Sequence, residues 1–448
     1  MSSILNAFKV ASLSNCRDFL RIVWQDGRQS KFSNIWLRSA VRDAKFFDAN
    51  SLLYRRHEYV NFIANHTPLM SAECEDNNVL VKWENHSSNF DASWLRAHDG
   101  SVNDDLVGPS EVVLWDSQSE FPVTYHYSER AEKLEQWMID LRKYGVVYFV
   151  NVPANEKGLD DVMQQIGVLK QRFHPTNKLP ITSDPTQRKA IDRDVYSSDY
   201  LSVHNDTAYH PVPYKLSGLL GINYDAPIQD TENYFVDNLR IIGELQKKHP
   251  EAYDLLQSIP VQLSRRRMNV QEKCDPADVR MYQYDLVFTT PLISYDHSEG
   301  LPTLRFTVKH SGFEMDSIKD HSVMEKYYKA FLLLESMLSD PFYHQKVILN
   351  AGTLAIFNNS RVAHGRGPIH PTTSRFVYLG FMSEEMWRTR WRIILGEKSG
   401  LPEKWLYGCS EATLQVLAKR KISENVKKDL NVAKNRSSKQ TNTKNNNT

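Results

Sequence analysis

The chain has 448 residues, a formal net charge of +1, 41% hydrophobic residues and 24% charged residues. This balance is ordinary for a globular protein of two or three domains; it gives no bias toward nucleic acid or membrane, and no apolar run reaches the roughly 18 residues of a spanning helix. The four cysteines, Cys16, Cys74, Cys274 and Cys409, are scattered and form no CxxC, which argues against a disulfide framework or a Cys-rich zinc site and for a reducing compartment.

The first 17 residues, MSSILNAFKVASLSNCR, carry Lys9 and Arg17 and no acid. They are Ser-rich and acid-poor like a mitochondrial transit peptide, yet FKVASLSN reads equally as a first strand and turn. A cytoplasmic protein is the expectation, and a mitochondrial one the alternative. Residues 1–105 read as a small β-rich domain. FLRIVWQDGRQSKFSNIWL predicts a strand, a turn at Asp26-Gly27 and a second strand; NVLVKWENHSSNFDASWL repeats the texture, with Trp83 and Trp94 as core anchors.

Residues 106–400 form the second region. Leu134, Trp137, Met138 and Leu141 recur at helical spacing, and Gly145 supplies the C-cap. VVYFVNVP is a buried strand, GLDDVMQQIGVLKQRF a second amphipathic helix, and residues 233–258 two more helices broken before Pro250. MEKYYKAFLLLESMLSD is another helix. Strands are expected at KLSGLLGINY, TLRFTVK, HQKVILN, TLAIFNN and RFVYLGFM. Many short strands after leading helices, without strict βαβ alternation, predict an α+β or barrel-like domain. Residues 401–448 are a C-terminal extension expected to be disordered from about 421, where large apolar side chains run out.

Fifteen histidines and 54 acidic residues in this length make about two His-x-acid triplets by chance. His249-Pro250-Glu251 and His297-Ser298-Glu299 lie at a proline break and a turn, and read as exposed and inert. His204-Asn205-Asp206 precedes the strand KLSGLLGINY. On a strand, i and i+2 share a face, so His204 and Asp206 are expected to point the same way and offer two-thirds of a facial metal triad. Val362-Ala363-His364-Gly365, after an apolar strand and a turn, offers a third ligand with small neighbours. Arg375 opens the next strand and suits a dicarboxylate's far end by bidentate pairing.

The order HxD, then RVAHGR, then an arginine eleven positions beyond the histidine resembles the 2-oxoglutarate- and Fe(II)-dependent dioxygenases, and among them the gamma-butyrobetaine dioxygenase and trimethyllysine dioxygenase family. FSNIWLRSAVRD, GVVYFVNVP, FVDNLRIIGELQKKHPEAYDLLQSIPV and SRFVYLGFMSEEM extend the similarity over most of residues 20–400. The resemblance implies a double-stranded β-helix (jelly-roll) catalytic domain with flanking helices behind the N-terminal domain. It implies His204, Asp206 and His364 as iron ligands, Arg375 as the 2-oxoglutarate anchor, and no catalytic side chain beyond the ligands. It further implies ascorbate as reductant, O2 and a small-molecule substrate as partners, and a tendency toward a homodimer. No nucleic acid or membrane partner is expected.

The chain departs from the pattern in places. The family's small domain often holds zinc with clustered cysteines after WLRD; here the stretch reads VRDAKFFDANS, so zinc is not expected and apolar packing must hold that core. Asn205 stands where the family usually has Thr, Asp230-Thr231 where it has Gly-Gly, and Ser360 where it has Trp. A trimethylammonium group is held in an aromatic cage by cation–π attraction. Tyr196, eight residues before His204, fits one cage position, and Tyr209 and Phe381 are expected walls. FHPTNKLPITSD at 173–184 lacks the remaining aromatics, so the cage is incomplete. Arg361 and Arg366 read as structural or as supporting the site. Gamma-butyrobetaine is the expected substrate in carnitine biosynthesis, with trimethyllysine as alternative and a catalytically inactive binding protein on the same fold as the rival of another class.

Overall fold

The structure is a computed structural model describing residues 9–399 apart from 49–52, 66, 77, 100–111, 121–122, 170–177, 183–199, 226–230, 268–283, 297–298, 308–312, 315–317 and 371–372. The C-terminal stretch expected to be disordered lies outside the described residues. The chain divides into two compact units, Met1–Pro109 with Arg392–Thr448, and Ser110–Trp391. Among the described residues no helix is long and apolar enough to cross a membrane.

The first unit opens with an antiparallel meander of β1 (Val10–Asn15), β2 (Phe19–Trp24) and β3 (Gln29–Ser33). Gly27, at φ 84°, makes the turn where Asp26-Gly27 predicts it. The Ser33 hydroxyl accepts from the Trp36 N–H and starts α1 (Asn34–Ser39). A short pair, β4 (Phe47–Asp48) with β5 (Leu53–Tyr54), and α2 (Arg56–Ala64) lead to a second meander of β6 (Leu69–Glu75), β7 (Asn78–Trp83) and β8 (His86–Asp91), closed by α3 (Ala92–Ala97). Trp24, Trp83 and Trp94 are buried in one core with Leu20, Ile22 and Phe62. On the VRDAKFFDANS stretch, Asp43 accepts from Ser88 Oγ at 2.7 Å and lies 3.0 Å from His86 Nε2. Phe46 meets the His86 ring edge-on at 5.0 Å. A polar trio walled by aromatics thus occupies that part of the core.

In the second unit, β9 (Thr124–His126) precedes α4 (Leu134–Tyr144) and β10 (Val146–Val150). Gly145 ends α4 at φ 81°, its N–H donating to the Leu141 carbonyl at 2.8 Å. A side chain there would also collide with Arg361. Next come α5 (Glu156–Met163), β11 (Lys178–Thr182), β12 (Leu201–His204), β13 (Leu216–Asp225) and β14 (Asn233–Asp237). Helices α6 (Asn238–Lys248) and α7 (Pro250–Ser258) lead into β15 (Val261–Arg267), β16 (Tyr284–Thr290), β17 (Ile293–Asp296), β18 (Leu301–Leu304) and β19 (Phe313–Glu314). The chain then forms α8 (His321–Ser339), β20 (Gln345–Val347), β21 (Leu354–Asn358), β22 (Val362–Arg366), β23 (Ser374–Met382) and α9 (Glu384–Ser399).

Two sheets make the core: six strands in the order β11-β23-β13-β21-β10-β9, and four in the order β12-β22-β14-β20. They pack face to face as a jelly roll. Phe235 of β14 lies 5.3 Å from Phe357 of β21 and 5.9 Å from Tyr148 of β10, ring to ring. Alternation along the strands sends Val203, Val236 and Ala363 to the opposite face of the four-stranded sheet, where they share a core with Ile242, Leu256 and Leu334 of α6, α7 and α8.

Two sequence expectations shift. Residues 233–237 form β14 rather than the start of a helix: Asp237 caps α6 by accepting from the Leu239 N–H, and the five residues before the helix pair with β22. The α5 helix stops at Met163 instead of running to 173. Ile166 and Leu169 stay buried in an irregular segment, so the apolar spacing is satisfied without further helical turns.

Candidate active site

His204 is the last residue of β12 and His364 the third of β22, and the two are direct register partners across the antiparallel pair. Facing positions on one side of a sheet bring side chains together, and the imidazoles lie 4.5 Å apart between ring centroids. Phe235 is His364's partner on the other side, so a buried row of ring, imidazole and imidazole crosses the inner face. His204 Nδ1 lies 2.8 Å from the Ser202 carbonyl; donation there leaves Nε2 as the lone-pair nitrogen facing inward.

Asp206 arrives by a different route from the one expected. The strand ends at His204, so no shared strand face carries both residues. Asn205 pairs with Phe306 in both directions, through its backbone N–H and its side-chain oxygen. Its amide donates to the Asn359 carbonyl at 2.6 Å. Thr207 then takes a left-handed φ of 55°, and this turn brings the carboxylate round. Asp206 Oδ1 lies 3.9 Å from His204 Nε2, and Oδ2 lies 3.8 Å from His364 Nε2. Ser217 of β13 donates its hydroxyl to Oδ2 at 3.1 Å. One ligand atom from each of His204, Asp206 and His364 lies within 4.8 Å of the others, all three residues buried, a set that could hold a metal ion. Gly365 is small for a reason beyond space at the site: a Cβ there would sit 2.7 Å from the Leu201 carbonyl oxygen.

Two residues along β22, on the same face as His364, lies Arg366. Its register partner Asn233 accepts from Arg375 Nη2 at 2.9 Å, so guanidiniums from both sheets are buried at one level of the barrel. Burial, and then the Arg366 charge, bring the Arg375 guanidinium down to about 9. Such a pair favours an anion. Arg361 faces elsewhere: it pairs with Asp237 at 3.2 Å and donates to the carbonyls of Arg142 and Lys143 at the end of α4.

Phe381 stacks on Tyr214 at 4.5 Å and is the register partner of Ser217, which puts it beside the Asp206 support. Tyr209 belongs to the helix-side core, with its hydroxyl accepting from Arg265 at 2.6 Å. Tyr196 lies outside the described residues. Of the other triplets, His249 and Glu251 are exposed; His297 and Ser298 lie outside the described residues. Glu299 corrects the expectation of an inert, exposed turn: it takes the buried Lys215 ammonium at 2.6 Å and the Trp387 indole N–H at 3.2 Å. Beside Asp206 a cavity of about 270 Å³ is lined by Asn205, Tyr214, Lys215, Tyr295, Asp296 and Arg305 among others.

Sequence reasoning missed Ser217 and Asn359. Each is an ordinary strand or turn residue in the sequence, and only the register places it against Asp206.

A buried His–Asp–His set on the inner wall of a jelly roll, with two buried guanidiniums in the same barrel, defines a dioxygenase that uses iron and 2-oxoglutarate. The profile of the Taurine catabolism dioxygenase TauD, TfdA family matches residues 110–382, and the chain belongs to that family. The chain is 23% identical over 376 residues to the gamma-butyrobetaine dioxygenase of Pseudomonas sp. (strain AK-1), covering 81% of this chain and 90% of that protein. It is 22% identical over 380 residues to the trimethyllysine dioxygenase of Meyerozyma guilliermondii, covering 80% and 89%. A solved taurine dioxygenase from Burkholderia xenovorans aligns with a TM-score of 0.40 and 14% identity over 59% of this chain and 83% of its own.

Proposed function

We propose that the chain hydroxylates a small trimethylammonium compound, gamma-butyrobetaine first, as a step in carnitine biosynthesis. In this reading His204, Asp206 and His364 hold Fe(II), and Arg375 pairs with the far carboxylate of 2-oxoglutarate. Ascorbate keeps the metal reduced, and the compartment is the cytoplasm, with the mitochondrion as alternative. The observation that carries the reading is the convergence of one ligand atom from each of three buried residues within 4.8 Å of one another.

Bound iron with 2-oxoglutarate supplies O2-driven C–H hydroxylation coupled to release of succinate and CO2. The chain's own residues prepare the pocket. The Ser202 carbonyl fixes the His204 tautomer, and Ser217 fixes one carboxylate oxygen of Asp206. Tyr196 and Phe381 are assigned as walls for the trimethylammonium group, which an aromatic face attracts; Tyr209, expected as a third wall, is packed in the helix-side core instead. Trimethyllysine is the second reading, supported by a relative of that name at 22% identity beside the gamma-butyrobetaine dioxygenase at 23%.

The test is succinate formation by purified protein with Fe(II), 2-oxoglutarate and each compound, with product mass read for the gain of one oxygen atom. Stimulation by one compound identifies the substrate. Succinate no higher than with 2-oxoglutarate alone, for both, overturns the reading.

A further inference from the structure

Asn233 opens β14 on the inner face, two residues before Phe235. Its carboxamide is held at both ends. Oδ1 accepts from Arg375 Nη2 at 2.9 Å, and Nδ2 donates to the Val347 carbonyl of β20 at 3.3 Å. Turned over, the amide would set its NH2 group against a guanidinium N–H and its oxygen against a carbonyl, so its neighbours allow one orientation. Asn233 is buried. Its register partners are Arg366 of β22 on one side and Val347 of β20 on the other, so the backbone beneath the amide is fixed from both edges.

A second bridge runs beside the first. Tyr224 of β13 is the register partner of Arg375, and its hydroxyl accepts from the Thr231 backbone N–H at 3.1 Å. Thr231, which stands at the departure from Gly-Gly noted in the sequence, is fully buried. Two side chains of the six-stranded sheet thus clip onto residues 231–233 at the entry to β14. Arg375 is the flexible arm of the two: a guanidinium on a long stem gives up rotamer freedom on binding unless something holds it beforehand. The Asn233 carboxamide holds it and brings no charge of its own. A carboxylate in the same place would orient the guanidinium as well, and would also compete for it with an arriving anion.

We propose that Asn233 is the positioning residue of the dicarboxylate anchor: reaching across from the four-stranded sheet, it holds the Arg375 guanidinium in its binding pose and, being uncharged, does not compete for it. This rests on the functional reading above, in which Arg375 takes the far carboxylate of 2-oxoglutarate. Asn233 acts through the guanidinium and not on the ligand.

The experiment compares N-oxalylglycine with oxamate, which keeps the metal-chelating oxalyl amide and lacks the far carboxylate. Binding of each is measured by calorimetry on the full chain loaded anaerobically with Fe(II). Asn233→Ala is expected to weaken N-oxalylglycine by about tenfold and oxamate by less than about threefold. Asn233→Asp keeps an acceptor in place and adds a charge, and is expected to weaken N-oxalylglycine by about 100-fold, again with little change for oxamate. Because the two probes are compared on one protein, misfolding or a disturbed metal site would lower both and does not mimic the effect. Equal losses for the two probes in Asn233→Ala, or N-oxalylglycine binding as tight as in the native chain in either variant, overturn the assignment and leave the functional reading intact. If the native chain binds N-oxalylglycine no more tightly than oxamate, Arg375 is not the anchor, and that part of the functional reading falls together with this assignment.

Discussion

Asn359 and Asp206 hold each other. The Asn359 side-chain oxygen accepts from the Asp206 backbone N–H, and its amide donates back to the Asp206 carbonyl, both at 2.8 Å. The same amide reaches the Tyr214 carbonyl at 3.2 Å. The turn after β21 is thereby locked to the turn that carries the carboxylate, 153 residues away in sequence.

Asn359→Ala leaves one buried N–H and two buried carbonyls without this partner, at about 1–3 kcal/mol for each that finds no substitute. Residues that orient a metal ligand typically change affinity by roughly 10- to 100-fold when removed. Asn359→Ala is therefore expected to weaken Fe(II) binding by that factor, read by titration of the metal-stripped protein. Ser217→Ala, which removes one hydroxyl from Asp206, should cost less. Iron affinity equal to that of the native chain in Asn359→Ala would show that Asp206 is fixed by other means.

Arg375 gives a pH dependence whose direction follows from its environment. Burial first, and the Arg366 charge second, lower it to about 9. In ligand-free protein the cation is thus nearly complete at pH 8 and lost as pH rises through 9. Binding of the 2-oxoglutarate far carboxylate requires the cation, so the apparent dissociation constant should rise by roughly tenfold between pH 8 and pH 10. N-oxalylglycine binding, followed by calorimetry, tests this without turnover. Arg375→Lys should weaken binding at both values, since an ammonium loses the fork geometry. A flat profile to pH 10 in the native chain would contradict the assignment of Arg375 as the anchor.

Gly365 controls the spacing of β12 and β22. Gly365→Ala places a methyl group 2.7 Å from the Leu201 carbonyl oxygen and 3.1 Å from the Val203 nitrogen, and neither backbone atom can rotate away. Overpacking of this kind costs about 1–3 kcal/mol. The strain falls between the two histidine strands, so lower stability in denaturant melts should be accompanied by weaker iron retention. Loss of stability with native iron content would mean that the strands part elsewhere.

The readability of this fold in the sequence followed the range of the interaction concerned. α4 was legible because Leu134, Trp137, Met138 and Leu141 and the Gly145 cap all act within a few residues. Residues 233–237 were misread because Tyr234, Phe235 and Val236 suit either state, and only the hydrogen bonds to β22 decide for a strand. The two imidazoles and the carboxylate that converge were visible as short motifs, yet the expected reason was wrong: a left-handed turn at Thr207 positions Asp206, and β12 has already ended. Glu299 looked like a turn residue because its partner Lys215 lies 84 positions away. Ser217 and Asn359 had no signal at all, since their meaning exists only in the register.

The Asp43–His86–Ser88 group makes the first unit sensitive to acid. Burial pushes the Asp43 carboxyl up, but hydrogen bonds from His86 and Ser88 and the His86 charge outweigh it and hold the carboxyl below its usual 3.8. A depressed carboxyl contributes stability above the unfolded value and loses it as pH falls through the folded one. The native chain should therefore lose stability below about pH 4 more steeply than Asp43→Asn, compared by thermal melts across pH 3 to 6. Parallel curves would show that the trio contributes nothing through charge.

Arg361 and Asp237 form a buried ion pair in which burial dominates. The Asp237 carboxyl is raised above 3.8 by burial in spite of the Arg361 charge, the Arg361 hydrogen bond and the N–H groups of Leu239 and Trp115. A raised carboxyl binds more protons in the folded than in the unfolded state, so its contribution is fully present below 3.8 and is lost as pH rises. Arg361→Met removes the countercharge and the donors to Arg142, Lys143 and Val113 carbonyls. Breaking one side of such a pair costs about 3–5 kcal/mol, and the deficit should be larger at pH 8 than at pH 5, where Asp237 can take a proton instead. Adding Asp237→Asn to Arg361→Met should flatten that difference, because the amide has no charge to strand. Denaturant unfolding of the three proteins at both pH values decides the matter: a deficit in Arg361→Met below about 1 kcal/mol, or one independent of pH, would place the stabilisation in the α4 carbonyl contacts instead of the charge pair.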